Sequence, residues 1–203
     1  MPSLDGATGW LNSSPLTREG LRGKVVAVDF CTYTCINWIR TLPYVRTWAR
    51  EYAAQGLVVL GIHTPEFSVE KDPANVRRAL DVMQVGYPVA LDNDYAVWDA
   101  FTNRYWPALY LIDAEGRVRH GWFGEGDYER SEQTIRELLI EAGSGVGGDL
   151  VRVDPQGVEA EADWDDLRSP RPTSGSDGRS GSDHRRPPHR RPVTGSRSRS
   201  GWR

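Results

Sequence analysis

The chain has 203 residues, 38% of them hydrophobic, with a formal net charge of −3 and only two cysteines. That length suits one domain or one domain with an appendage, two cysteines exclude a disulfide scaffold, and no apolar run approaches the roughly 18 residues of a membrane span. The charge is divided: residues 171–203 hold 9 Arg and 2 Asp, a net of +7, which leaves −10 for residues 1–170.

Residues 1–23 form a Gly-, Ser- and Pro-rich lead-in, where Trp10-Leu11 is the one apolar pair large enough to dock. The start at Met1-Pro2-Ser3 lacks the basic and apolar parts of a signal peptide, so the chain as written reads as cytoplasmic. Val25 to Phe30 is an apolar, β-branched run, as in a strand buried on both faces. The period then changes. Ile36, Ile39, Val45 and Trp48 fall at helical spacing, and this helix runs to about Ala54, kinked by Pro43 and stopped at Gln55-Gly56. Leu57 to Ile62 is the second buried strand, and a crossover of this length makes the two strands parallel. His63-Thr64-Pro65-Glu66-Phe67 leaves the strand at the edge where open α/β sheets place their sites.

Asp72-Pro73 begins a helix to about Gln84, and Tyr87 to Leu91 is a short strand. Asp92 to Phe101 reads as a capped short helix. Ala108 to Ile112 and Arg117 to Phe123 are strands joined by the turn Asp113-Ala114-Glu115-Gly116. Glu129 to Ala142 is the last helix, with Ile135, Leu138 and Leu139 as its apolar stripe. Residues 144–170 read as a linker whose short apolar pieces, Leu150-Val151 and Trp164, can lie against the domain. Residues 171–203 are a basic tail in which Arg, Ser, Gly and Pro supply 25 of 33 positions. Such a composition buries too little to offset ordering entropy and is expected to be disordered. Clustered Arg attracts phosphate, but the tail holds no recognisable nucleic-acid-binding module. The chain uses 23 Arg against 2 Lys, a sign of G+C-rich coding, and off-frame reading of such DNA yields this composition. The tail is therefore either a genuine segment or a frameshift product.

Both cysteines lie in the five-residue loop between the first strand and helix, and Cys35 stands where the helix begins. Unpaired N–H groups and the positive end of the dipole favour an anion there. A thiol at such a point ionises more readily than a free one, and the thiolate is the reactive form. The alternative is a cysteine serving as a small buried hydrophobe.

The strand ending in Asp29-Phe30, the aromatic-rich loop, Cys35 at a helix start and Pro43 eight residues later resemble the thioredoxin-like redoxins. The resemblance is to their TlpA- and ResA-type branch, above all to the thioredoxin-like domain of DipZ-type proteins. It implies an α/β thioredoxin fold over residues 24–143, a central mixed sheet flanked by helices. Related domains read Phe-Trp-Thr-Tyr-Ser/Thr-Cys-Ile-Asn-Cys where this chain has Phe30-Cys31-Thr32-Tyr33-Thr34-Cys35-Ile36-Asn37-Trp38. A Trp has thus become Cys31, and the second Cys of the C-x-x-C pair has become Trp38.

By the same resemblance Cys35 is the nucleophile, Pro107 is a cis proline lying against it, and Asp29 is the buried acid that assists the second cysteine. With Trp38 in that cysteine's place, Asp29 has lost this task. Three outcomes remain open. Cys35 works alone, resolved by an outside thiol, as a thiol-disulfide oxidoreductase or a thiol-dependent peroxidase; Thr32-x-x-Cys35 resembles the Thr-x-x-Cys of peroxiredoxins. Or Cys31 resolves Cys35. Or the domain is a redox-inactive binding module. Glu66 and His63 sit at the functional edge and read mainly as solvated loop residues, with Glu66 an auxiliary candidate. The implied partners are protein or small-molecule thiols, disulfides or peroxides together with an external reductant. The resemblance implies that related domains often work outside the membrane, against the cytoplasmic reading of the chain's start. No cofactor motif or zinc spacing is present.

Overall fold

The structure is a computed structural model that describes residues 1–160. In chain order its elements are β1 (Gly9–Leu11), β2 (Val25–Cys31), α1 (Ile36–Glu51), β3 (Leu57–His63), α2 (Pro73–Val82), β4 (Val89–Leu91), α3 (Ala96–Ala100), β5 (Ala108–Ile112), β6 (Val118–Phe123) and α4 (Tyr128–Glu141). Short 3-10 turns lie at Ala53–Gln55, Ser68–Lys71 and Gly157–Glu159. The strands form one mixed sheet in the order β1-β4-β3-β2-β5-β6.

β2 is central because both its faces are apolar. Side chains alternate along a strand, so Val25, Ala27 and Cys31 join one core while Val26, Val28 and Phe30 join the other. α1, α2 and α4 cover the first face with Trp38, Leu42, Trp48, Leu80, Ile135 and Leu139. The lead-in and α3 cover the second, with Leu4, Leu21, Val97 and Trp98. β2 runs parallel to β3, with Asp29 opposite Gly61 and Cys31 opposite His63, and antiparallel to β5. This register brings the end of β2, the end of β3 and the start of β5 to one edge of the sheet, above the first turn of α1.

Several boundaries differ from the sequence reading, each for a local reason. β1 lies within the lead-in: three residues are too few to show alternation, yet Thr8 N–H donates to Leu91 O at 2.7 Å and β1 pairs antiparallel to β4. α1 ends at Glu51 rather than about Ala54, because the chain tightens into a 3-10 turn closed by Gly56 at φ 99°. Asp72 caps α2 as its sequence implies, its carboxylate accepting from Ala74 N–H at 2.8 Å. That helix stops two residues short of Gln84, which adopts φ 56°. Asp92 stands outside α3 and reaches in, accepting from the N–H groups of Val97 and Trp98 at 2.9 Å each. The disordered-tail reading and Trp164 fall outside the described residues.

Residues 144–159 bond to the domain at several points. Ser144 donates to Gln55 O at 2.6 Å, and Arg46 pairs with Glu159 at 2.9 Å. Buried Glu132 on α4 holds the centre. It accepts from Trp48 Nε1 at 3.2 Å, from Val151 N–H at 2.8 Å and from the Tyr52 hydroxyl. Glu132→Ala would leave these donors unpaired in the interior, so urea denaturation is expected to show a loss of about 3 kcal/mol. A loss under about 1 kcal/mol would mean that solvent satisfies them.

Candidate active site

The loop leaving β2 turns tightly before α1. Thr64 N–H donates to Cys31 O at 3.0 Å, and Cys35 N–H donates to Thr32 O at 3.1 Å. Cys35 is the N-cap residue of α1: its backbone is extended, its carbonyl accepts from Ile39 N–H at 3.0 Å, and its side chain makes no cap bond. The thiol is therefore free to point outward. It is half-buried and faces the main chain before β5, with Sγ 3.9 Å from Trp106 O. The Trp106–Pro107 peptide is cis. Trp106 is itself fixed, Nε1 donating to Thr64 O at 3.1 Å and the ring lying 4.3 Å from that of Trp98. Sequence-distant Cys35, Trp106 and Pro107 thus meet at one mouth.

Beneath Cys35, one turn along α1, Trp38 is 1% exposed. Its indole Nε1 donates to Asp29 Oδ2 at 2.9 Å, and the Tyr87 hydroxyl donates to the same oxygen at 3.4 Å. Burial pushes the Asp29 carboxyl up to about 6, against the opposing pull of these two bonds. A cleft of about 20 Å³ beside Asp29, Pro107, Trp122, Gly124 and Gly126 has room for about one water. The acid in this place therefore serves an indole.

Cys31 is equally far from solvent. Its thiol donates to Ile62 O at 3.5 Å, and burial pushes it well above the ordinary range, reinforced by the negative charges of Asp29 and Glu70 and by Cys35. His63, expected on a solvated loop, instead ends β3 and is fully buried. Its ring stacks on Tyr33 at 5.7 Å, neither ring nitrogen has a hydrogen-bond partner, and burial pulls it down to about 4 although the Glu70 charge opposes this. Thr32 is also fully buried beneath the loop. Glu66 is exposed, and what it brings to the site is a main-chain N–H directed at Glu70.

Glu70 and Tyr87 are polar residues of the site that sequence reasoning missed, and only the packing of the Ser68–Lys71 turn and of the segment before β4 brings them in; Thr34, next to Cys35 in the chain, was given no role. Among the described residues, no group of three or more His, Cys, Asp or Glu is placed to hold a metal ion. No described helix is long and apolar enough to cross a membrane.

A mixed sheet with this strand order, a cysteine at the start of the first long helix and a cis proline against it define a thioredoxin-like protein. The chain belongs to the AhpC/TSA family, whose pattern matches residues 8–121. It is similar to Protein DipZ of Mycobacterium bovis, 51% identical over 148 residues that cover 71% of this chain. The chain spans only 21% of that relative's length. It is also similar to the thiol-disulfide oxidoreductase YkuV of Bacillus subtilis, 32% identical over 70% of this chain and 95% of the relative. Among solved structures, the solution structure of a thioredoxin-like protein in the oxidised form matches with a TM-score of 0.63. It shares 31% identity and covers 70% of this chain and 95% of its own.

Asp29 makes a pH prediction. Its folded value of about 6 lies above its ordinary 3.8, so the folded state binds the extra proton between those values. Stability from this group is greatest below pH 3.8 and falls as pH rises to about 6, by up to about 3 kcal/mol. Asp29→Asn is expected to lose that slope and to unfold at higher denaturant than the parent at pH 7. Chemical denaturation of both proteins at pH 4 and pH 7 checks this, and parallel shifts in the two would refute it.

Proposed function

We propose that the chain is a thiol-disulfide oxidoreductase that works through one nucleophile, Cys35. The observation that carries this reading is the unequal placement of the candidate groups. Cys35 reaches solvent against Trp106 O, whereas Cys31 and Trp38 are sealed in the core. The Cys35 thiolate attacks one sulfur of a substrate disulfide, forming a mixed disulfide and releasing the other sulfur as a thiolate that takes a proton from water. A thiolate of an external reductant then attacks Cys35 Sγ and releases the first substrate sulfur. A second external thiolate attacks the reductant's own sulfur, leaving an oxidised reductant and free Cys35. Two external thiols are thus consumed for each disulfide reduced.

The substrates in this reading are disulfides of proteins or small molecules. Peroxides are a second class of oxidant: they would convert Cys35 to a sulfenic acid, which two thiols return to the thiol. A redox-inactive binding module is the second reading. The observation favouring it is that Trp38 fills the resolving position completely and bonds to Asp29.

The test is turnover of insulin disulfides, and separately of hydrogen peroxide, with glutathione as reductant. The parent should turn over at least one of them, Cys35→Ser should abolish it, and Cys31→Ser should keep at least about half. Trp38→Cys should raise disulfide turnover about tenfold or more, because resolution becomes intramolecular. Removing the buried indole should also cost about 3–5 kcal/mol of stability. Loss of turnover in Cys31→Ser would move the resolving role to Cys31, and a parent that turns over neither substrate would favour the binding module.

A further inference from the structure

The Ser68–Lys71 turn places one carboxylate, Glu70, under the loop that carries Cys35, and Glu70 is 0% exposed. Its Oε1 accepts from the Thr34 hydroxyl at 2.6 Å. Its Oε2 accepts from the N–H groups of Glu66 and Phe67 at 2.7 and 2.8 Å. Burial pushes this carboxyl up, but its hydrogen bonds outweigh burial and hold it below the ordinary value, so it is ionised at neutral pH. The Thr32 hydroxyl adds to this electrostatically without meeting hydrogen-bond geometry.

A buried, ionised side chain with three donors is a costly feature to leave without a purpose. Its contacts run in two directions. Toward the fold, the turn is anchored from α2 and from the end of β4: Asn75 Nδ2 donates to Val69 O at 3.1 Å, and Asn93 Nδ2 donates to Lys71 O at 2.9 Å. Toward the loop, Thr34 bonds to Glu70, the Tyr33 hydroxyl donates to Val69 O at 3.5 Å, and the Tyr33 ring stacks on His63. The two residues immediately before Cys35 are therefore both clamped to the far side of the sheet edge. On the opposite side the thiol faces Trp106 O.

We propose that Glu70 is a positioning residue for Cys35: through Thr34 it fixes the loop, and hence the direction from which the thiol meets a disulfide. This deepens the single-nucleophile reading and rests on it. Disulfide exchange requires the attacking sulfur to approach along the S–S axis, so small displacements of the loop are costly. Alkylation is also in-line, but a reagent as small as iodoacetamide can align itself on any exposed thiol, whereas a bulky disulfide must fit the surface beside the loop, and the difference separates positioning from mere exposure of the thiol.

The experiment measures stoichiometric reaction of Cys35 with the aromatic disulfide DTNB and with iodoacetamide, both in a Cys31→Ser background. Thr34 is exposed, so Thr34→Val should fold, and circular dichroism confirms it. Thr34→Val is expected to slow the DTNB reaction about tenfold while the iodoacetamide rate stays within about twofold. Thr34→Ser, which keeps the hydroxyl, should restore the parent rate with both reagents. Glu70→Gln can accept from the two N–H groups and donate to Thr34, and should stay within about threefold of the parent. A folded Thr34→Val protein with the parent DTNB rate would overturn the proposal. So would equal slowing with both reagents, or failure of Thr34→Ser to restore the rate. Because each reaction consumes one thiol once, a protein that never turns over insulin still gives a clear answer about the Thr34–Glu70 bond.

Discussion

The hydrogen bond from the Trp38 indole to Asp29 is the contact on which the site depends. A carboxyl in the middle of β2, with apolar residues on every side, must find a donor or lower the stability of the fold. Trp38 supplies that donor from the first turn of α1. The same ring fills the space between helix and sheet that a much smaller cysteine would leave part-empty. Since Trp38 lies three residues after Cys35, locking the indole to β2 also locks the start of α1, and with it the height of the thiol above the sheet. One bond thus settles a stability problem and a positional one together.

Burial then sets the two thiols apart. Cys31 closes β2 and turns inward with the alternation of the strand, beside His63 across the parallel ladder. Side by side they suggest a thiol–imidazole pair, but the environment forbids one. Burial holds the imidazole neutral and the thiol protonated, and Glu70 adds a negative charge that disfavours a thiolate at Cys31. Cys35, four residues on, has left the strand and faces solvent at the helix start. The asymmetry arises from where the strand ends.

Much of this was legible in the sequence, for identifiable reasons. β2, α1 and β3 announce themselves through long apolar runs, a change of period and Gly56, and the encounter of Cys35 with Pro107 follows from the family resemblance. Elements held by tertiary contacts were not legible. β1 has three residues and is defined by its partner β4, and residues 144–159 are bonded to the fold through Glu132 and Arg46, a pairing that local sequence does not announce. The choice between Glu66 and Glu70 shows the limit most clearly. They are the same residue type four positions apart on one connection, and only the 3-10 turn at Ser68–Lys71 sends Glu66 to solvent and Glu70 inward. His63 was misplaced for a related reason: a polar residue at a strand's end reads as loop unless its neighbours cover it, and Tyr33 does so here.

An Asp29 partnered by an indole and not by a second cysteine has a physical logic of its own. Removing the acid alone would leave the Trp38 N–H and the Tyr87 hydroxyl without their shared acceptor, at about 1–3 kcal/mol for each unpaired group. Removing the indole alone would open a cavity beneath the thiol. Acid and indole are thus mutually stabilising: truncating either one singly is unfavourable, whereas Asp29→Asn keeps the acceptor oxygen and sheds only the buried charge. In the single-nucleophile reading, the lifetime of any mixed disulfide then passes from an internal partner to whatever thiol can reach Cys35. That access is set by the surface around it. Ile36, the next residue in the chain, is exposed, so a thiol approaching Cys35 passes an apolar side chain on one side and the Trp106 main chain on the other.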